Sequence, residues 1–221
     1  VVGDLAYLAA DYEGLRILDV SNPATITSVG GIYLTGYNVD VHVVGTRAYV
    51  AATYDGLAII DISNPAAPTL AGTYDTPGYA THVRAVDGVA YVADGSEGLH
   101  ILNVSNPAAV TRLGGYNTLG GLGSVYMAGD LAVVADGSPG LQILDVSDPA
   151  MVTRLGGYST LSYAQDVQVV GGLAYVADGS GGLQVVDVSD PSAMIRVGGY
   201  DTPGSAGDVQ VVGNLAYVAD G

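Results

Sequence analysis

One ten-residue phrase recurs five times at a constant spacing, and it constrains the fold more than any other feature. It begins at Gly14 and returns every 42 residues, at Gly56, Gly98, Gly140 and Gly182. The five copies read GLRILDVSNP, GLAIIDISNP, GLHILNVSNP, GLQILDVSDP and GLQVVDVSDP. A fixed period of about 40 residues indicates a tandem array of supersecondary units that bury their apolar faces against one another.

Within a repeat, apolar residues alternate with a period of two, which indicates β-strands. In the last complete copy we expect strand A at 166–170, strand B at 173–177, strand C at 183–188 and strand D at 194–200. Asp-Gly turns separate strands, and Pro191 ends strand C because proline cannot donate a ladder hydrogen bond. Four short antiparallel strands in each repeat predict an all-β chain, a β-propeller with four-stranded blades and no helix longer than one turn.

The repeat also resembles a known family. Its apolar strand C is followed by Asp-Val-Ser-Asp/Asn-Pro and preceded by Ala-Tyr-Val-Ala-Asp, as in 174–178. In this respect the chain looks like the LVIVD-repeat proteins of bacterial and archaeal cell surfaces, over essentially all 221 residues. The resemblance implies a propeller and an extracellular or cell-surface location, and it brings no catalytic residues.

The two ends of the chain carry the same part of the repeat, since residues 1–9 match residues 211–219 in phase. We expect residues 1–221 to be a single propeller domain and a piece of a longer array. A ring of six blades is favoured, with 208–212 forming a local hairpin with 214–220. A five-bladed ring, in which 208–212 pairs with residues 5–9, is the alternative. An open ring would expose a strand edge, which propellers normally avoid.

The charge and composition exclude several functions. The net charge is −16, all six basic residues are Arg, and there is no Cys. Such a surface repels nucleic acid and anionic membranes, and no apolar run is long enough to span a bilayer. Without Lys or Cys there is no phosphate-binding loop lysine, Schiff base or thiol nucleophile. Duplication of an Asp-containing unit explains most of the acidity, and halophilic adaptation is the alternative.

The opening positions of strand A vary between repeats where the rest of the unit barely varies. Position one and position three lie on one face of the strand and alternate with apolar residues. They hold Asp40, His82, Ser124, Asp166 and Asp208, and then His42, Arg84, Tyr126, Gln168 and Gln210. One interpretation is a ligand site at the mouth of a central channel, where carboxylates and imidazole could hold a divalent cation. The other is that these side chains hydrate the channel and satisfy backbone groups.

Other polar positions belong to the template. One set precedes glycine in the turn after strand B, and another ends strand C. They are Asp94, Asp136, Asp178 and Asp220, and then Asp19, Asp61, Asn103, Asp145 and Asp187. Calcium binding is one interpretation, and the one we favour is that these carboxylates accept hydrogen bonds within their own turns. His100 is expected to be a solvated surface residue, and Arg112, Arg154 and Arg196 to lie on the surface of strand D.

Two functions remain open. The first is a non-catalytic scaffold or binding module with a protein or carbohydrate partner and no resident cofactor. The second is a metal-dependent, lactonase-like hydrolase whose site would use the strand A face. Tightly held metal that is lost when Asp166 and Asp208 are replaced by Ala would favour the hydrolase.

Overall fold

The alternating sequence forms strands throughout. The computed structural model describes all 221 residues and contains 21 strands and two one-turn 3-10 helices, at Pro107–Ala109 and Pro149–Met151. The expectation that no helix is longer than one turn is confirmed. The strands are β1 (Leu5–Ala9), β2 (Leu15–Asp19), β3 (Thr27–Ile32), β4 (Asp40–Val44), β5 (Arg47–Ala51), β6 (Leu57–Asp61), β7 (Thr69–Tyr74), β8 (His82–Val86), β9 (Val89–Ala93), β10 (Leu99–Asn103), β11 (Thr111–Tyr116), β12 (Ser124–Ala128), β13 (Leu131–Ala135), β14 (Leu141–Asp145), β15 (Thr153–Tyr158), β16 (Asp166–Val170), β17 (Leu173–Ala177), β18 (Leu183–Asp187), β19 (Ile195–Tyr200), β20 (Ala206–Val212) and β21 (Leu215–Asp220).

Each repeat forms one sheet of sequential strands. Repeat 1 is the three-stranded sheet β1–β3, and β20 and β21 form a two-stranded sheet. Repeats 2 to 5 are four-stranded sheets, β4–β7, β8–β11, β12–β15 and β16–β19. Six sheets of this kind make an all-β fold consistent with a propeller.

Strand bounds follow the sequence closely. Strands A and B of repeat 5 are β16 and β17, which pair antiparallel from Asp166–Ala177 to Val170–Leu173. Strand C ends at Asp187, one residue earlier than expected, and strand D begins at Ile195. The C–D pairing contains an irregularity between Val185 and Val186, and bulges of this kind increase the local twist.

The last hairpin closes locally. Strand β20 pairs with β21, from Asp208 opposite Ala219 to Val212 opposite Leu215. Strand β1 pairs with β2. The prediction that 208–212 pairs with its own following strand is therefore confirmed.

The contacts divide the chain into two compact units. Unit 1 is Val1–Asp94 with His100–Leu113, and unit 2 is Gly95–Leu99 with Gly114–Gly221. In unit 1, Ile59 of β6 packs in one cluster with Val83 of β8 and Val92 of β9. In unit 2, Ile143 of β14 packs with Val176 of β17. Each core is thus shared between neighbouring sheets, as expected for units that cannot bury an apolar face alone.

Candidate functional site

In unit 1, strand A side chains of two neighbouring repeats come together. The Asp40 Oδ2 atom accepts a hydrogen bond of 2.9 Å from the backbone N–H of Val83. The same oxygen lies 3.4 Å from Arg84 Nη1 and 3.6 Å from His82 Nε2. The carboxylate is therefore placed against the edge of the next strand A and between two basic side chains.

His42, two residues after Asp40 on the same face of the strand, has the same role. Its Nδ1 atom accepts a hydrogen bond of 3.0 Å from the backbone N–H of Ala85. Burial lowers the pKa of His42, as does the positive charge of Arg84, while Asp40 partly opposes the shift. A neutral imidazole is what this contact requires, because Nδ1 must offer a lone pair.

Unit 2 repeats the arrangement. Ser124 Oγ accepts from the N–H of Val167 at 3.1 Å, and Asp166 Oδ2 accepts from the N–H of Val209 at 3.0 Å. Gln168 Oε1 accepts from the N–H of Val211. Tyr126 is half-buried, and Asp208 and Gln210 are exposed.

The spacing explains this pattern. Each acceptor serves an N–H group 43 residues later, which is one repeat plus one residue. Strand A is an edge strand of its sheet, so its side away from strand B carries N–H groups without a ladder partner. Leaving such groups unpaired is unfavourable. Side chains of the preceding repeat supply the acceptors. No group of three or more His, Asp or Glu side chains is arranged to hold a metal ion.

The carboxylates after strand B bind a different loop from the one expected. Asp94 accepts from Thr76 Oγ1 at 2.6 Å and from the N–H of Gly78 at 2.8 Å. Asp178 Oδ2 accepts from the N–H groups of Leu161 and Ser162 at 2.8 and 2.9 Å. The expectation of bonds within their own turn was wrong. Each carboxylate instead holds the loop that leads into its own sheet, because that loop presents free N–H groups beside the turn.

In repeat 4 this carboxylate is part of a buried network. Asp136 Oδ2 accepts from Gln142 Nε2 and from the N–H of Gly120 at 3.2 Å. Gln142 Oε1 in turn accepts from Arg154 Nε at 2.9 Å. Burial raises the pKa of Asp136, while the nearby Thr118 hydroxyl and the hydrogen bond from Gln142 oppose that shift.

His100 stands in repeat 3 where Gln142 stands in repeat 4. The expectation that it is a solvated surface residue was wrong. The residue is 5% exposed, and its Nε2 atom lies 3.5 Å from Asp94 Oδ2. Strand C is the third of four strands, so neighbouring strands and the Asp94 turn cover this position. Gln142 and Gln184 are buried there for the same reason.

Two other expectations are confirmed. The residues ending strand C accept hydrogen bonds from the N–H two residues later, as Asp61 does from Ser63 at 2.8 Å and Asn103 from Ser105 at 3.1 Å. The hydrogen bonds with Ser63 lower the pKa of Asp61, and Ser147 does the same for Asp145. The strand D residues Arg112, Arg154 and Arg196 are exposed.

Sequence reasoning missed a cluster of exposed tyrosines in unit 1. Tyr12 and Tyr37 stack edge to face with ring centroids 5.3 Å apart, and Tyr54 and Tyr79 lie 6.1 Å apart. Tyr12 and Tyr54 are 68% and 78% exposed. The signal was available, because the positions of Tyr12 and Tyr54 hold Ser96, Ser138 and Ser180 in the later repeats.

Solved structures share the fold at low identity. A computationally designed protein, Ika8, matches with a TM-score of 0.77 and 7% identity, over 100% of this chain and 66% of that one. A functionally unknown protein from Desulfotomaculum acetoxidans matches with a TM-score of 0.75 and 12% identity, over 99% of this chain and 73% of that one. A protein of unknown function from Bacteroides thetaiotaomicron gives 0.69 and 17%, over 100% and 65%. The chain thus spans about two thirds of their length.

The sequence comparisons identify the repeat. No curated protein matches this sequence. The LVIVD repeat matches six times, at residues 1–35, 35–76, 77–118, 120–160, 162–202 and 203–221. These matches cover nearly every residue and fall in the register of the sheets. The chain therefore belongs to the LVIVD-repeat family.

Proposed function

We propose that this chain is a non-catalytic binding module of a cell-surface or secreted protein, and that its sheets are blades of a six-bladed β-propeller. The family resemblance supports the location, and the sequential four-stranded sheets support the propeller. Five of the ten strand A polar positions that sequence reasoning singled out as a ligand site at a channel mouth have backbone acceptor roles that suit a scaffold, and these are Asp40, His42, Ser124, Asp166 and Gln168. A structure of the full-length protein will count the blades, and protease treatment of intact producing cells will test the location.

The tyrosine face is the observation that carries the binding role. We define it as Tyr12 and Tyr54, on the turns after strand B of repeats 1 and 2, together with Tyr37 and Tyr79, on the loops that lead into repeats 2 and 3. Tyrosine gives a large, amphipathic contact area at low cost in conformational entropy and is enriched at protein interfaces. The Tyr12 and Tyr54 rings are 68% and 78% exposed, so most of each ring is open to a partner.

The residue that precedes Tyr12 and Tyr54 in the chain also departs from the repeat, although the backbone keeps the same left-handed conformation. Asp11 and Thr53 have φ angles of 46° and 39°, where the later repeats carry Gly95, Gly137 and Gly179. A positive φ is unfavourable for a β-branched residue such as Thr53. Strain of this kind is concentrated at functional sites, since it persists only where something else requires it. It marks the same two turns that carry Tyr12 and Tyr54.

The chemistry of the partner follows from charge. With a net charge of −16 and the exposed acid Asp55 next to Tyr54 in the chain, the tyrosine face favours a protein segment with basic side chains. Arginine suits it best, because guanidinium stacks on aromatic faces and pairs with carboxylates.

Selection from a displayed random-peptide library tests this proposal. The wild-type chain is compared with a variant in which all four tyrosines are replaced by Ser, the residue that later repeats carry at several of these positions. We expect basic peptides that bind the wild type and lose binding to the variant, whose thermal unfolding should be unchanged. Peptides that bind both proteins equally, or no peptides at all, would reject the proposal. Tyrosine-dependent binding to a glycan array instead would point to a carbohydrate partner and also reject it.

A further inference from the structure

Repeat 2 contains a cavity that side chains fill in other repeats. Its volume is about 170 Å³. Leu34, Ala52 and Ala58 form a buried apolar floor, and Tyr33, Asp55 and Leu70 form an exposed rim. All of these residues belong to unit 1.

The cavity exists because four positions of the repeat change together. In repeat 4 these positions hold Thr118, Asp136, Gln142 and Arg154, and hydrogen bonds join the last three in the polar network described above. In repeat 2 the corresponding residues are Leu34, Ala52, Ala58 and Leu70. The loss removes two long side chains, a glutamine and an arginine, and leaves their space empty and apolar.

Repeat 2 keeps a turn carboxylate that pairs with an arginine in repeat 1. In repeat 1, the turn carboxylate of Glu13 pairs with the guanidinium of Arg16, at 2.8 Å between Oε2 and Nη2. Repeat 2 keeps the carboxylate as Asp55 but has Ala58 in the arginine position. The Asp55 carboxylate makes no hydrogen bond or ion pair. It lies over Gly36, whose φ of 80° and missing Cβ leave room for it.

We infer that this cavity binds an arginine side chain of the partner protein. The methylene stem would cover Ala52, Ala58 and Leu34, and the guanidinium would meet the Asp55 carboxylate and the exposed Tyr33 ring. The chain itself places a guanidinium in this region in two other repeats, since Arg16 pairs with Glu13 in repeat 1 and Arg154 donates to Gln142 in repeat 4. The inference rests on the proposed binding function but uses none of the four residues of the tyrosine face.

Nuclear magnetic resonance titration with Nα-acetyl-arginine methylamide tests the inference on the intact chain. Binding should shift the amide and methyl signals of Ala52 and Ala58. The citrulline analogue, which has nearly the same shape without the charge, should bind about tenfold more weakly. Equal binding of the citrulline analogue, or shifts located elsewhere, would overturn the inference. Binding of free butylguanidine without binding of the arginine derivative would also overturn it, since the occupant would then be a small free molecule.

Two variants separate charge from space. Asp55→Asn removes only the charge, and Ala58→Arg fills the cavity with the residue that repeat 1 already tolerates. Each should weaken binding of the arginine derivative about tenfold or more with unchanged thermal unfolding. As a matched control, the four-tyrosine variant should bind it like the wild type. Full binding by Ala58→Arg would contradict the assignment, and loss of binding in the tyrosine variant would place the site on the tyrosine face instead.

Discussion

Repeats 2 and 4 have the same four strands, but the region beside the turn after strand B is polar in repeat 4 and apolar in repeat 2. In repeat 4, Asp136 connects the incoming loop to Gln142 and Arg154. In repeat 2 the corresponding residues surround a cavity. The backbone does not need the polar network, since β4–β7 pairs in the same strand order as β12–β15. The strands therefore form the scaffold, and the turn region beside strand C can be changed in one repeat without loss of the sheet.

The turns differ in backbone strain as well. Thr53 of repeat 2 has a positive φ angle, and its Oγ1 atom is buried without a hydrogen-bond partner. Repeat 4 carries Gly137 at this position with a similar φ of 57°. The conformation is therefore required by the fold, and repeats 1 and 2 adopt it with a side chain, at Asp11 and Thr53. Repeat 4 therefore carries the polar network, and repeat 2 carries the cavity and the strained turn.

Replacing Asp136 by Ala should have the largest effect. The change leaves Gln142 Nε2 and the Gly120 N–H buried without an acceptor, and we expect a loss of about 3 kcal/mol in the free energy of unfolding. Urea denaturation measures it. Asp130→Ala is the control, because it removes an exposed carboxylate with no side-chain hydrogen bond and should cost little. A loss below about 1 kcal/mol would mean that the network does not distinguish the two repeats.

Transferring the network into repeat 2 should stabilise it. The variant Leu34→Thr, Ala52→Asp, Ala58→Gln and Leu70→Arg fills the cavity with the residues of repeat 4. We expect a gain of about 1 kcal/mol in the free energy of unfolding. Thermal denaturation checks the result, and the triple variant that retains Ala52 should lose the gain, because the introduced Gln would lack its acceptor. Destabilisation by the full set would show that the two interiors are not interchangeable.

Relieving the strain at Thr53 should have a somewhat smaller effect. Thr53→Gly suits the left-handed conformation but increases the entropy of the unfolded chain, so we expect a net gain of about 0.5 kcal/mol. Thr53→Ala is the control, because it removes the buried hydroxyl and keeps the unfavourable φ. If both variants gain equally, the hydroxyl and not the backbone is the source of the strain.

The pH dependence of stability should also reveal the network. Because the folded-state pKa of Asp136 lies above its ordinary value of 3.8, protonation favours the folded state. Its contribution is fully present below the ordinary pKa and is lost as the pH rises through the folded-state pKa. The stability of the wild type relative to Asp136→Asn should therefore fall as the pH rises from acid to neutral. An increase over the same range would mean that the buried carboxylate is stabilised as an anion.

The smallest effects should come from a feature that both repeats share. Asp61 and Asp145 each accept from the N–H two residues later, at 2.8 and 3.0 Å. Replacement of either residue by Asn, which retains an acceptor, should change the melting temperature little and by equal amounts. The lowered pKa of each carboxylate means that its contribution is lost as the pH falls through that folded-state value. Unequal effects would show that the two repeats differ beyond the turn region.

The sequence by itself determined the repeat, the strands and the family. The repeat period of 42 residues and the two-residue alternation of apolar side chains can be read from the sequence alone. They predicted the first and last residues of β16 and β17 correctly. The short-range hydrogen bonds at the ends of strand C were predictable for the same reason, because donor and acceptor lie two residues apart.

Tertiary structure decided which polar residues are buried and what they contact. His100 is buried, and Asp94 holds a loop 16 to 18 residues earlier in the chain. Asp40 caps an N–H group 43 residues away. Contacts of this kind depend on how one sheet packs against the next, which no periodicity within a single repeat encodes. The cavity of repeat 2 likewise becomes visible only when Ala52, Ala58 and Leu70 are brought to one place by the turn after strand B and the pairing of strands C and D.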